Sequence, residues 1–230
     1  MDAWTTNSVQ AADRVSAFLW KVYGWMAVGL GLTALVGFAV AGSPDLLRVL
    51  IGNRLVFFAL VIAELGLVFF MSARADRLAP GTAAGLFALY SALNGVTLSV
   101  ILLAYTGESV TMTFVVTAGM FGALALFGST TKRSLAGAGQ FFMMGLVGLI
   151  LASIIGMFWH NDALQFLISV VGVIVFTGLT AWDAQRLRQM ALALPAGQVG
   201  AYAVVGALSL YLDFINLFLM LLRFTGSRRD

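Results

Sequence analysis

Long apolar segments with almost no charged residues constrain this chain more than any other feature of its sequence. Several runs of 17 or more residues carry no charge or only a single one. A helix needs about 20 predominantly apolar residues to cross a hydrocarbon layer about 30 Å thick. With 61% hydrophobic and 10% charged residues, the chain has more apolar surface than a soluble domain can bury. The sequence therefore predicts an all-α polytopic protein whose main partner is the lipid bilayer.

Seven apolar segments have the length of a membrane span, and only short linkers join them. They cover about residues 18–41, 55–72, 83–104, 110–128, 137–158, 164–185 and 199–222. We predict one seven-helix transmembrane domain over residues 18–225, with a polar tail at 1–17 and a basic tail at 226–230. Linkers of this length leave no room for a second domain.

Basic residues near the ends of the spans indicate the orientation. If the N-terminus is cytoplasmic, eight lysines and arginines lie on the inner side and five on the outer side. The positive-inside rule favours this arrangement. Because the basic residues are scattered between apolar runs, we read them as topology signals and predict no nucleic-acid partner.

The chain offers little to an enzyme or to a resident metal cofactor. It has no cysteine, which excludes disulfides, thiolate metal sites and cysteine nucleophiles. Its lone histidine, His160, follows Trp159 in a predicted outer loop and is typical of an interfacial side chain. We predict that the protein is not an enzyme, with no catalytic residue and no cofactor other than a bound or permeating ion.

Three carboxyl groups fall inside predicted spans. Glu64 lies at the middle of span two, Asp183 toward the inner end of span six, and Asp213 within span seven. Ionisable side chains in spans usually face a bundle interior or an aqueous cavity and mark ion or proton pathways. The alternative is that each is a hydrogen-bonded packing residue.

The spacing of the two aspartates predicts a shared site. If the turn between spans six and seven centres on Ala196, Asp183 lies 13 residues before it and Asp213 lies 17 after it. At a rise of ~1.5 Å per residue, an antiparallel hairpin places both within ~6 Å of the same height. Two carboxyl groups in contact titrate as a unit, and when deprotonated they offer the oxygen ligands that Ca²⁺ prefers.

A counter-charge for this pair is available from an arginine after span two. Spans two and six run in the same direction, so Arg74 is predicted at the level of Asp183, where the two can form an ion pair. Arg186, three residues after Asp183, is a competing partner. The alternative for Arg74 is an ordinary positive-inside anchor.

Five motifs resemble those of the Bax inhibitor-1 family in its bacterial branch, over about residues 15–225. They are "VYGWMAVGLGLTALV", "TGESVTMTFVVTAGMF", "STTKRSL", "TAWDAQRL" and "LSLYLDFINLFLMLLR". The last two are the most specific. Where the family often has tyrosine before the first aspartate, this chain has Trp182.

The resemblance implies a fold and a function. It implies seven helices with the last one central and surrounded by the other six, forming a pH-sensitive calcium leak channel of the bacterial inner membrane. Asp183 and Asp213 match the family's di-aspartyl pH sensor, and Arg74 matches the arginine that latches the closed state, although Arg77 is only one turn away. Glu64 corresponds to an acidic position without an assigned role.

Three other classes of membrane protein can be compared with this sequence. A retinal protein is excluded because the only lysines are Lys21 and Lys132, and neither lies in the last span. An intramembrane aspartyl protease is disfavoured because Asp213 lacks the Gly-x-Gly-Asp context. A non-conducting regulator that binds other membrane proteins, such as a membrane protease, stays open as the alternative.

Overall fold

The computed structural model describes residues 3–159, 161–195 and 198–229, and this part of the chain is helical without a β-strand. Its eight α-helices are α1 (Ala3–Ala41), α2 (Pro44–Gly52), α3 (Arg54–Ala73), α4 (Pro80–Ala104), α5 (Gly107–Thr130), α6 (Ala136–Phe158), α7 (Asp162–Ala193) and α8 (Val199–Thr225). Seven of them, all but α2, are long and apolar enough to cross a membrane. The predicted all-α fold with seven spans is confirmed. His160 and the predicted turn about Ala196 lie outside the described residues.

The short helix α2 was not predicted, because hydropathy reads residues 42–48 only as a linker. Pro44 in its first turn has the fixed φ that a helix start accepts, and Asp45 places a carboxylate at the positive end of the helix dipole. Asn53 then ends α2 and begins α3, since its side chain accepts hydrogen bonds from the backbone N–H groups of Leu55 and Val56.

Two long helices extend beyond their predicted ends. Helix α1 begins at Ala3, well before the apolar segment predicted from residue 18. Helix α7 continues to Ala193 rather than ending near 185. Its extension keeps Leu187 and Ala191 buried, so an apolar face persists although Arg186 and Arg188 interrupt the hydropathy signal.

One compact unit comprises Met1–Ala104 and Gln189–Tyr211. In it α1 packs closely on α4 at small residues: a Cβ added to Gly95 would lie 2.6 Å from the carbonyl oxygen of Thr33. Small residues let helix backbones approach where lipid provides no hydrophobic drive for association. Helix α3 is mostly exposed, and its buried side chains are Glu64 and Met71, which lie on one face.

The second unit comprises Tyr105–Arg188 and Leu212–Asp230. Its core is a buried apolar cluster of α6, α7 and α8 side chains: Leu149, Ile168, Val175, Phe176, Leu179, Leu217 and Leu221. Helix α5 adds an aromatic contact, because the ring of Phe121 packs edge-on against Phe214 at a centroid distance of 5.6 Å. Edge-to-face pairs of this kind are favourable beyond their buried area.

The C-terminal residues of this unit return to the start of α5. The backbone N–H of Thr106 donates to the carbonyl of Ser227 at 3.1 Å, and the N–H of Ser227 donates to the Ser109 hydroxyl at 2.9 Å. The end of α8 therefore lies at the same end of the unit as the start of α5, as complete crossing by the last span requires.

Helix α8 is the most buried of the candidate spans. Of its most apolar window, 67% is buried, against 44% for the next span, α4. This burial agrees with an interior helix, while the arrangement of the other six helices around it stays a prediction.

We expect Gly128→Ala to destabilise the protein, because a Cβ at this position would collide with the backbone carbonyl of Ala181 on α7. Overpacking of this kind costs about 1–3 kcal/mol. The matched control is Gly122→Ala on the same helix, where a Cβ would meet nothing within 4 Å. Since alanine favours helix over glycine by up to about 1 kcal/mol, the control should be neutral or stabilising. Thermal unfolding in detergent distinguishes the two, and equal melting temperatures would contradict the close crossing.

Candidate proton and cation site

Asp213 is a buried carboxyl group on α8. Its side chain belongs to a residue that is 6% exposed, and its Oδ2 atom is buried without a hydrogen-bond partner among the described residues. Most buried polar atoms in folded proteins have a partner, so an orphan oxygen marks a place where a proton, a water molecule or a cation can bind.

The structure brings Asp183 and Asp213 together. Both belong to the second unit, and the Asp183 carboxyl group is close enough to Asp213 for a direct charge–charge interaction. Asp183 is half-buried on α7. A positively charged side chain, Arg186, lies near the pair and interacts with Asp183 by charge. Its guanidinium lies 5.7 Å from the centroid of the Trp182 ring.

Arg74, the predicted latch, ends α3 in the first unit. Its backbone N–H donates to the carbonyl of Phe70, and its guanidinium lies over the Phe70 ring at 5.4 Å. Its side chain is exposed, whereas Arg77 already forms an ion pair with Asp76 at 3.7 Å. Asp183 belongs to the second unit, so the pairing of Arg74 with Asp183 stays a prediction.

A cavity of about 860 Å³ lies in the second unit, and neither aspartate is among its lining residues. Its polar lining includes Asp162, Gln165 and Ser169 on α7 and Asn216 on α8. On α8, Asn216 is three residues from Asp213, which places both on one face of the helix. Asn216 is therefore the lining residue nearest to Asp213 in sequence, and two arginines, Arg223 and Arg228, also line the cavity.

The pair does not form a complete metal cage. Among the described residues, no group of three or more His, Cys, Asp or Glu side chains is placed to hold a metal ion. Ca²⁺ takes six to eight oxygen ligands, so two carboxyl groups need carbonyl oxygens or water molecules to complete its coordination.

Glu64, the third predicted acid, belongs to a different site. It lies in the first unit on α3, is 9% exposed, and accepts hydrogen bonds from Thr97 Oγ1 at 2.9 Å and Asn94 Nδ2 at 3.3 Å on α4. The structure therefore separates the three intramembrane acids into a pair of aspartates in one unit and a single glutamate in the other.

Several polar residues near these acids were missed by sequence reasoning. Gln185, two residues after Asp183, clamps the α5–α6 loop: its Oε1 accepts from the N–H of Leu135 at 2.7 Å, and its Nε2 donates to the carbonyl of Arg133 at 2.8 Å. Asn94 and Thr97 were missed as partners of Glu64. A side chain such as Asn94 in an otherwise apolar span is a usable signal, because its amide needs a partner there.

The chain matches a known family over most of its length. The family described as "Inhibitor of apoptosis-promoting Bax1" matches residues 15–230. The chain is also 47% identical over 224 residues to the inner membrane protein YbhL of Escherichia coli K12, covering 96% of each chain. It is 43% identical over 215 residues to an uncharacterized protein of Borreliella burgdorferi, covering 93% of each, and 42% identical over 217 residues to one of Deinococcus radiodurans, covering 94% of this chain and 93% of that protein. The chain belongs to the Bax inhibitor-1 family.

Proposed function

We propose that the protein is a pH-sensitive leak pathway for Ca²⁺ across the bacterial inner membrane, in which Asp183 and Asp213 bind protons and the permeating cation. The observation that carries this proposal is the orphan Oδ2 of Asp213, buried within charge–charge range of a second carboxyl group. The E. coli relative is named an inner membrane protein, which supports the same location for this chain. The distribution of basic residues supports a cytoplasmic N-terminus.

The chemistry of the pair explains how one site senses both protons and Ca²⁺. When both carboxyl groups are ionised they repel each other, and a divalent cation relieves that repulsion. When the pair binds a proton, its charge falls and its attraction for Ca²⁺ falls with it. Protons and Ca²⁺ therefore compete for the same oxygens, and the proton occupancy of the pair belongs to both residues together.

The gate in this proposal is an arginine that holds the charged pair. With Asp183 ionised, Arg74 pairs with it and keeps the pathway closed, and protonation removes the charge that the arginine binds. Arg186 interacts with Asp183 from the same helix, so it sets the local charge whatever the position of Arg74. The resemblance to the family supports the role of Arg74.

We expect Asp213→Asn and Asp183→Asn to abolish the pH dependence of Ca²⁺ flux, because an amide is isosteric with the carboxyl group but does not titrate. The measurement is Ca²⁺ flux into liposomes that contain the purified protein, over a range of external pH. Glu108→Gln, at an acid in the first turn of α5, is the control and should keep the wild-type profile. Unchanged pH dependence in both aspartate variants would remove the proposed sensor, and absence of flux in wild type would favour the non-conducting regulator.

We expect Arg74→Gln to raise Ca²⁺ flux at neutral pH, where the latch holds a charged Asp183. An exposed ion pair contributes up to about 1 kcal/mol, which corresponds to an increase of up to roughly fivefold. Arg77→Gln is the matched control, since Arg77 is paired with Asp76. If the two substitutions have equal effects in the same liposome assay, both arginines act only as positive-inside anchors and neither gates the pathway.

We expect Ser169→Leu to lower Ca²⁺ flux without shifting its pH profile, because it narrows the cavity and replaces a polar lining group while leaving both aspartates intact. Val171→Leu adds apolar bulk to an exposed position two residues away and is the control. If both variants conduct like wild type, the cavity is not the route of the ion.

A further inference from the structure

Among the described residues of its unit, Glu64 has only uncharged hydrogen-bond partners. Its carboxyl oxygens receive hydrogen bonds from Asn94 and Thr97, and the titratable side chains that face it are Tyr90 and Tyr211. No lysine or arginine in the described part of this unit forms an ion pair with it. A buried carboxyl group without a fixed counter-charge can exchange a proton only if its hydrogen-bond partners tolerate both protonation states.

The partners of Glu64 continue into a chain of hydrogen bonds across four helices. Tyr211 on α8 donates from its hydroxyl to Asn94 Oδ1 at 2.9 Å, and the same hydroxyl is 2.6 Å from Thr33 Oγ1 on α1. Thr33 Oγ1 in turn lies 2.8 Å from the backbone carbonyl oxygen of Ser91 on α4. The chain of hydrogen bonds thus runs from Glu64 through Asn94, Tyr211 and Thr33 to a carbonyl oxygen.

Counting hydrogens gives one direction when Glu64 is ionised. A carboxylate only accepts, so the Asn94 amide group donates to it and the Asn94 oxygen accepts from Tyr211. The single hydroxyl hydrogen of Tyr211 is then used, so Thr33 must donate to the Tyr211 oxygen. Thr33 has only one hydrogen, and it therefore has none left for the Ser91 carbonyl. Every donor in the chain points toward Glu64.

A proton on Glu64 allows the opposite direction. The carboxylic acid donates to the Asn94 oxygen once the side-chain amide has turned by half a rotation, and the amide nitrogen donates to the Tyr211 oxygen. Tyr211 then donates to Thr33, and Thr33 donates to the Ser91 carbonyl. Every donor again has an acceptor, and because the amide oxygen and nitrogen exchange places, the main change in heavy-atom position is that the 3.3 Å separation of Glu64 and Asn94 shortens to that of an O–H···O bond.

The two short contacts of Thr33 are both hydrogen bonds only in the direction that a protonated Glu64 allows, because with Glu64 ionised no hydrogen lies between Thr33 Oγ1 and the Ser91 carbonyl oxygen 2.8 Å away. Its oxygen lies within hydrogen-bond distance of Tyr211 and of the Ser91 carbonyl at once, although it has one hydrogen to donate. Thr97 has the same property, since its Oγ1 lies 2.9 Å from Glu64 Oε1 and 3.0 Å from the Asn94 carbonyl. At both hydroxyl groups a reversal needs only rotation of an O–H bond.

We propose that Glu64 is a second proton-binding site, separate from the aspartate pair, and that a proton bound there reverses the hydrogen-bond chain through Asn94, Tyr211 and Thr33. The site takes one proton and transfers the change to α8, because the Tyr211 hydroxyl switches its acceptor from Asn94 to Thr33. It requires neither aspartate and does not depend on whether the protein conducts Ca²⁺.

The test uses the full chain with Asp183→Asn and Asp213→Asn, so that the pair formed by these two aspartates contributes no titrating carboxyl signal. Infrared difference spectra between alkaline and acidic pH report the carbonyl stretch of a protonated carboxylic acid and the ring C–O stretch of tyrosine. We expect both bands to change with one common pH midpoint. Adding Glu64→Gln should remove the tyrosine change and the Glu64 component of the carboxyl band, because the amide is isosteric but binds no proton. The acidic residues of the tails and loops still titrate, so the Glu64 component is the difference between the spectra with and without Glu64→Gln.

Two further variants test the relay itself. Tyr211→Phe should remove the tyrosine change and keep the carboxyl band, whereas Tyr90→Phe, at a buried ring 5.6 Å from Tyr211 by centroid, should keep both. If Tyr211→Phe does not fold, Thr33→Val replaces it. This variant removes the acceptor of Tyr211 in the reversed chain, so the tyrosine change should be lost while the carboxyl band stays. A carboxyl band that Glu64→Gln leaves unchanged, or a tyrosine change that Glu64→Gln leaves intact, would overturn the proposal. So would the absence of any titrating carboxyl band in the double-asparagine background.

Discussion

The cost of burying a polar group away from water organises both units of this protein. In hydrocarbon an unpaired carboxyl group or hydroxyl group loses several kcal/mol of hydration, so each one must find a partner within the protein or a ligand. In the first unit the partners are other side chains, and the hydrogen bonds run from Glu64 to Thr33. Two buried oxygens lack a partner among the described residues: Ser91 Oγ in the first unit and Asp213 Oδ2 in the second. The second belongs to a carboxyl group that lies near another carboxyl group, so a proton or a cation can bind there.

Close helix packing makes these contacts possible. In the first unit Gly95 allows α4 to approach the backbone of α1 at Thr33, and this approach brings Thr33 Oγ1 to the Ser91 carbonyl. In the second unit Gly128 allows α5 to approach Ala181, two residues before Asp183 on α7. Lipid does not drive helices together as water does. Small residues at the crossings therefore stabilise helix association, because they allow close van der Waals packing of the backbones.

The seven spans could be predicted from the sequence because a membrane span has a length set by the bilayer. The helix α2 and the extension of α7 could not, since they depend on Pro44 and Asn53 at helix ends and on a buried face that two arginines interrupt. For the site, the number of residues from the turn to each aspartate predicts that Asp183 and Asp213 lie at one depth. It does not determine which way either side chain faces. The contacts of Asn94, Thr97 and Tyr211 were beyond reach for the same reason, because helix rotation decides them.

The two acid sites differ in what a proton changes. At Asp183 and Asp213 two like charges act on each other and on Arg186, so a proton alters an electrostatic balance that salt and Ca²⁺ also alter. At Glu64 the hydrogen-bond partners are neutral. A proton there neutralises the carboxylate and reverses the direction of the hydrogen bonds. Tyr211 lies two residues before Asp213 on α8, and the same helix therefore carries a residue of each site.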